Sequence, residues 1–83
     1  MSVDLALRAV ANEDAAELAA LIASAPPANE EPSPGQALQF AAGPALVLSW
    51  SVAAGYSVAI VIDGHPRRYA WSGNLRPPRD LEG

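Results

Sequence analysis

The apolar stretch ALVLSWSVAAGYSVAIVI, residues 45–62, decides what kind of fold this chain adopts. No charged residue occurs between Pro32 and Ile62, and about 20 mostly apolar residues are enough for a membrane-spanning helix. Arg67 and Arg68 follow soon after and would supply the positive flank of such a helix. A single membrane span through residues 45–62 is therefore one hypothesis.

A two-residue alternation in the same stretch favours strands instead. Larger side chains occur at every second position: Leu46, Leu48, Trp50 and Val52 in the first half, and Tyr56, Val58, Ile60 and Ile62 in the second. Gly55 predicts a hairpin turn between the halves, and the Asp-Gly dipeptide at 63–64 predicts another turn. A third strand follows, with Arg67, Tyr69 and Trp71 on one face. The sequence thus predicts a three-stranded antiparallel meander.

The first residues predict a strand as well. In MSVDLALRAVA, residues 1–11, every second position from residue 3 onward is apolar: Val3, Leu5, Leu7, Ala9 and Ala11. Period two is typical of a strand with one buried face. A helix is the alternative, because Ala and Leu favour helices.

Residues 13–24 predict a helix. Asn12 is a suitable N-cap, and negative charge at Glu13, Asp14 and Glu17 suits the helix N-terminus. Leu18, Leu21 and Ile22 form an apolar stripe at helical spacing. The prolines that follow Ala25 end the helix.

These elements predict a single α+β domain over residues 1–83, in the order β-α-β-β-β. It would have two layers, with one helix packed on an antiparallel sheet. The helix would pack on Leu46, Leu48, Trp50, Val58, Ile60 and Ile62. Residues 25–36 predict a proline-rich loop, and residues 73–83 predict an irregular C-terminal tail.

Residues 7–22, LRAVANEDAAELAALI, resemble the opening strand and helix of GNAT acetyltransferases. The matching positions are Leu7, Arg8, Asp14, Leu18 and Leu21. The glycine-containing pyrophosphate loop of that family is missing from the sequence. The resemblance therefore implies a strand followed by a capped helix, and it implies no activity.

No motif in the sequence predicts catalysis. Cysteine is missing, which excludes disulfides, thiolate metal sites and cysteine nucleophiles. His65 is the only histidine, and the turn dipeptide before it explains its neighbourhood without a catalytic role. There is no serine in a nucleophile elbow and no glycine-rich phosphate loop. We expect no enzyme, no cofactor and no metal site.

Two groups of residues are candidates for partner binding. The cluster HPRRYAW, residues 65–71, combines Arg67, Arg68 and Tyr69, and arginine and tyrosine are enriched at interaction hot spots. The alternative to partner binding is that Tyr69 and Trp71 belong to the hydrophobic core. The second group is acidic and consists of Glu13, Asp14 and Glu17, with Glu30 and Glu31 in the loop; helix capping and solubility are the alternative.

The charge of the chain bears on the kind of partner. The net charge is −4 and the pI is about 4.6, with the acidic residues concentrated before residue 32 and most arginines after residue 66. An acidic protein suits a basic protein surface better than nucleic acid. We therefore expect a small, cytoplasmic, non-enzymatic protein-binding module: an inhibitor, adaptor or accessory subunit. One version is a phage-encoded inhibitor of a bacterial defence complex. The alternatives are the membrane span and a nucleic-acid contact through residues 65–71.

Overall fold

The computed structural model describes residues 2–27, 32–40 and 43–71. Two helices precede four strands: α1 Ser2–Ala11, α2 Ala15–Ser24, β1 Ala37–Phe40, β2 Gly43–Ser51, β3 Gly55–Ile62 and β4 His65–Trp71. The strands form one antiparallel sheet in the order β1-β2-β3-β4, and both helices contact it. The α+β class is confirmed, but the order is α-α-β-β-β-β, and the predicted β-α-β-β-β order is wrong.

The predicted strand at residues 1–11 is helix α1. Its buried face consists of Ala6 and Ala9, with Val3 and Val10 partly buried beside them. These residues have the three- and four-residue spacing of a helix. Leu5 and Leu7 produced the alternation in the sequence, yet they are 39% and 36% exposed. The strand implied by the acetyltransferase resemblance is helical for the same reason.

A Schellman motif ends α1. The Asp14 N–H donates to the Ala9 carbonyl at 2.8 Å, and the Glu13 N–H donates to the Val10 carbonyl at 3.2 Å. This geometry requires a left-handed residue after the helix, and Glu13 takes that conformation with φ of 57°. The chain can therefore reverse within a few residues and bring α2 back beside α1.

The N-cap of α2 is Asp14, and the predicted cap at Asn12 is wrong. The Asp14 carboxylate accepts a hydrogen bond from the Glu17 N–H at 3.0 Å, and the helix begins at Ala15. An acidic or hydroxyl residue followed three positions later by glutamate is a known signature of a helix start. Here Asp14 and Glu17 have that spacing.

The helices cover one face of the sheet. A buried cluster on this face joins the two layers: Ala6, Ala9, Leu18, Ile22, Leu46, Leu48 and Ala59. The predicted packing of Leu18 and Ile22 with Leu46 and Leu48 is therefore confirmed. Alternate residues of the strands point to the opposite face.

That opposite face carries a second buried cluster of its own. Its members are Ala45, Val47, Tyr56, Val58 and Ile60, with Leu38, Trp50, Ile62 and Tyr69 packed against them. The prediction that Trp50, Val58, Ile60 and Ile62 face the helix is wrong. The sheet is apolar on both faces, so residues 45–62 read as nearly continuous hydrophobic sequence.

A β-bulge explains the placement of Trp50. Val47 pairs with Val58 and Ser49 pairs with Ser57, so β2 contains one extra residue, Leu48, at this point. The extra residue reverses the alternation along the rest of β2. Trp50 consequently pairs with Tyr56, and their ring centroids lie 6.4 Å apart.

The two predicted hairpins are present. Ile62 pairs with His65 around the Asp-Gly turn at 63–64, where both turn residues have positive φ (53° and 80°), as a type I′ turn requires. The β2–β3 turn covers residues 52–54, so Gly55 is the first residue of β3 and not part of the turn. Residues 45–62 thus form most of two strands, and no helix within the described ranges is long and apolar enough to cross a membrane.

Strand β1 has no counterpart in the predicted elements. It follows the proline-rich segment, and the last residues of that segment pair with β2. The Gly35 N–H donates to the Val47 carbonyl, and the Val47 N–H donates to the Gln36 carbonyl, both at 2.8 Å. Pro27 forms a parallel bridge with Ala37. The predicted tail at 73–83 lies outside the described residues.

Candidate binding surface

The arginine-containing cluster lies on an edge strand. Strand β4 pairs with β3 on one side, and the described residues place no strand on its other side. Its side chains divide between the two faces of the sheet. Arg67 pairs with Ile60 and Tyr69 pairs with Val58, whereas Arg68 lies between them and pairs with Ala59.

The predicted placement of Arg67 and Tyr69 on one face of β4 agrees with this register. Arg67 and Tyr69 occupy alternate positions, and Trp71 pairs with Tyr56 at the next alternate position. Tyr69 is half-buried and packs against the second apolar cluster, so it has a core role as well as a surface. Arg67 and Arg68 are exposed and bring two cations to the sheet edge on opposite faces.

The acidic group is positioned by the turn between α1 and α2. All three residues, Glu13, Asp14 and Glu17, are exposed. Asp14 uses its carboxylate to cap α2, with Glu17 as the backbone donor. Glu13 sits at the left-handed position of the Schellman motif. Glu30 and Glu31 lie outside the described residues.

One contact joins the acidic turn to the basic strand. Nδ1 of His65, the first residue of β4, lies 3.7 Å from a carboxylate oxygen of Glu13. Both side chains are mostly exposed, at 61% and 65%. The contact becomes an ion pair when His65 is protonated, and pairs with this exposure contribute little to stability. Its main consequence is geometric: the two groups that the sequence separates by about fifty residues adjoin.

We name this region the β4 surface: Glu13, His65, Arg67, Arg68 and Tyr69. It presents a carboxylate, an imidazole, two guanidinium groups and part of an aromatic ring. Among the described residues no group of three or more His, Asp or Glu side chains could hold a metal ion. Its exposed groups can form charged contacts and hydrogen bonds.

Sequence reasoning missed two concave regions. A groove of about 330 Å³ lies between α2 and the sheet and is lined by Ala19, Ile22, Ala23, Ala37, Pro44 and Val61. A cavity of about 260 Å³ lies at the β2–β3 hairpin beside Trp50 and Tyr56. The groove depends on the position of β1, and no sequence pattern predicts that strand. The small apolar residues that line the groove also have no distinctive spacing in the sequence.

Burial raises the pKa of the Tyr56 phenol above its ordinary value of 10.0. The side chain is 2% exposed, and removal from water disfavours the charged phenolate. Tyr56 therefore stays protonated throughout the neutral range and serves as a core residue that packs against Trp50.

Comparisons with protein families, with curated proteins and with solved structures find no match to this chain. The fold and the β4 surface are thus the basis for any functional conclusion.

Proposed function

We propose that this chain is a small non-enzymatic protein-binding module, an inhibitor, adaptor or accessory subunit, and that it binds its partner through the β4 surface. The observation that carries the proposal is the 3.7 Å contact between Glu13 and His65. It places the acidic turn against the first residue of the strand that carries the exposed Arg67 and Arg68. Arginine forms directional hydrogen bonds with carboxylates and is enriched at interaction hot spots.

The test is affinity capture with two charge-matched variants. Arg67→Ala/Arg68→Ala removes two positive charges from the β4 surface. Val52→Glu/Ala53→Glu changes the net charge by the same amount at the exposed tip of the β2–β3 hairpin, at the other end of β3. A partner retained by the parent and by the hairpin variant, and lost by the arginine variant, supports the proposal. Equal retention by all three proteins overturns it.

A more specific form of the proposal is a phage-encoded inhibitor whose acidic residues occupy a basic channel of a bacterial defence complex. Here Glu13→Lys/Glu17→Lys should abolish binding of the partner. Asp14 is best changed to Ser, because serine keeps the helix cap and removes only the charge. Unchanged affinity in Glu13→Lys/Glu17→Lys would exclude the inhibitor form and leave binding through the arginines in place.

A further inference from the structure

The two edges of the sheet differ in how much of their backbone is engaged. At the β1 edge, the Ala37 N–H donates to the Pro26 carbonyl at 2.9 Å, and Pro27 bridges to Ala37. Strand β1 is also short, with four residues. Strand β4 has seven residues, and no hydrogen bond among the described residues engages its outer side. Among the described residues, the β4 edge is therefore the longer one and has fewer backbone groups engaged, although the Pro66 side chain at its start is fully buried.

The register identifies the backbone groups on that open side. Ile62 and His65 flank a two-residue turn, so they form a hydrogen-bonded pair. Hydrogen-bonded and non-bonded pairs alternate in an antiparallel ladder. The inward-bonded positions of β4 are then His65, Arg67 and Tyr69, and the outward-directed positions are Pro66, Arg68 and Ala70.

Pro66 agrees with this assignment. Proline has no N–H, and within sheets it occurs where that N–H would face away from the ladder. Its position in β4 is such a site, so it costs no hydrogen bond with β3. Arg68 and Ala70 each direct one N–H and one carbonyl outward, and both residues are exposed.

The charge beside this edge selects the kind of strand that can pair with it. Arg67 and Arg68 project from opposite faces of β4 and are both exposed. Pairing with a second copy of β4 would bring arginines close to arginines, and opposed like charges destabilise strand pairs. A strand with acidic side chains would instead find a guanidinium partner on each face.

We propose that β4 binds an acidic, extended segment of another protein as a fifth strand of the sheet. Arg68 and Ala70 supply the main-chain hydrogen bonds, and Arg67 and Arg68 bind carboxylates of the added strand. This inference rests on the proposed function as binding through the arginines of β4, and it gives that partner an acidic strand. It is separate from the inhibitor form, in which acidic residues of this chain meet a basic channel.

The first test is amide hydrogen exchange of the chain alone. The N–H groups of Arg67 and Tyr69 should exchange slowly, because they bond to β3, and those of Arg68 and Ala70 should exchange fast. Slow exchange at all four positions would mean that the open edge is already occupied, and it would overturn the proposal.

The second test selects peptides from a library of short random sequences and measures their affinity. We expect the selected peptides to be rich in Asp or Glu and β-branched residues, and to slow exchange at Arg68 and Ala70. Ala70→Pro should weaken binding by about tenfold or more, because it removes one outward N–H. Ala70→Thr, which keeps that N–H, should bind like the parent.

The variants separate this proposal from the proposed function. If Ala70→Pro binds acidic peptides as well as the parent, while Arg67→Ala/Arg68→Ala loses them, strand addition is wrong and the β4 surface still binds. If neither variant changes the affinity, the peptides bind elsewhere and strand addition at β4 is wrong, whereas the proposed function is decided by the capture experiment with Arg67→Ala/Arg68→Ala. Selection of peptides without acidic residues would overturn the partner chemistry.

Discussion

Glu13 holds a left-handed backbone conformation that glycine adopts more easily. Its φ of 57° follows from the Schellman motif at the end of α1, where glycine is the usual residue. A side chain in this conformation costs about 1 kcal/mol or more.

We expect Glu13→Gly to raise the free energy of unfolding by about 1 kcal/mol, because it relieves the backbone strain and gives up only an exposed contact with His65. Urea denaturation measures the change. On the proposed function, the same variant should bind the partner more weakly than the parent. Glu13→Gln retains the strain and serves as the control. Loss of stability in Glu13→Gly would contradict the expectation.

Tyr56 should make the stability depend on alkaline pH. Burial raises the pKa of its phenol in the folded state above the unfolded value of 10.0. Below pH 10 both states keep the proton, and this group adds no pH dependence. Between the two pKa values the unfolded state releases its proton and the folded state does not, so stability falls as pH rises. Thermal unfolding at increasing pH should show this fall, and Tyr56→Phe should lack much of it. An unchanged slope in the variant would show that other groups cause it.

At the scale of elements, strong local signals in the sequence correspond to elements that are present in the structure. The Asp-Gly turn at 63–64, the apolar stripe of α2 and the strands at 45–62 each have a pattern that favours the element found, and all are present. The capping signature of Asp14 and Glu17 was also in the sequence, but the prediction placed the cap at Asn12.

The type of α1, the bulge in β2 and the proximity of the β4 surface residues depend on tertiary packing. Local sequence patterns do not predict such packing. Small residues bury α1 while its leucines stay exposed, so period two in the sequence did not correspond to a strand. The bulge at Leu48 reversed the alternation that placed Trp50. The predicted residues of the β4 surface were named from composition alone, and their proximity required the return of β4 to the α1–α2 turn.

Leu48 and Val52, which alternation assigns to one face, differ in burial, and this difference gives a prediction. Leu48 is 7% exposed in the cluster beneath the helices, whereas Val52 is 90% exposed in the hairpin turn. Leu48→Ala should lower the free energy of unfolding by about 2–5 kcal/mol, because it leaves a cavity in the core. Val52→Ala should change it by less than about 0.5 kcal/mol. Urea denaturation of both variants is the measurement, and equal effects would contradict the burial of Leu48 in the core and the exposure of Val52 in the turn.

On the scale of the whole molecule, the two apolar clusters share one sheet. Alternate residues of β2 and β3 contribute to the cluster beneath the helices and to the cluster on the opposite face. Neither cluster can lose its strands without exposing the other. We therefore expect the helices and the sheet to unfold together, as small domains generally do.

Leu18→Ala tests this coupling from the helix side. Leu18 is fully buried against the sheet, so its truncation should lower the free energy of unfolding by about 2–5 kcal/mol, a large part of the 5–15 kcal/mol typical of folded domains. Ala16→Ser, at an exposed position of α2, should have an effect below about 1 kcal/mol. Far-ultraviolet circular dichroism follows the helices, and tryptophan fluorescence follows the sheet through Trp50 in β2 and Trp71 in β4. In Leu18→Ala both signals should shift to the same lower urea midpoint. A loss of helical signal at a lower midpoint than the fluorescence change would show that the sheet stands without the helices, and the coupling between the two clusters would be wrong.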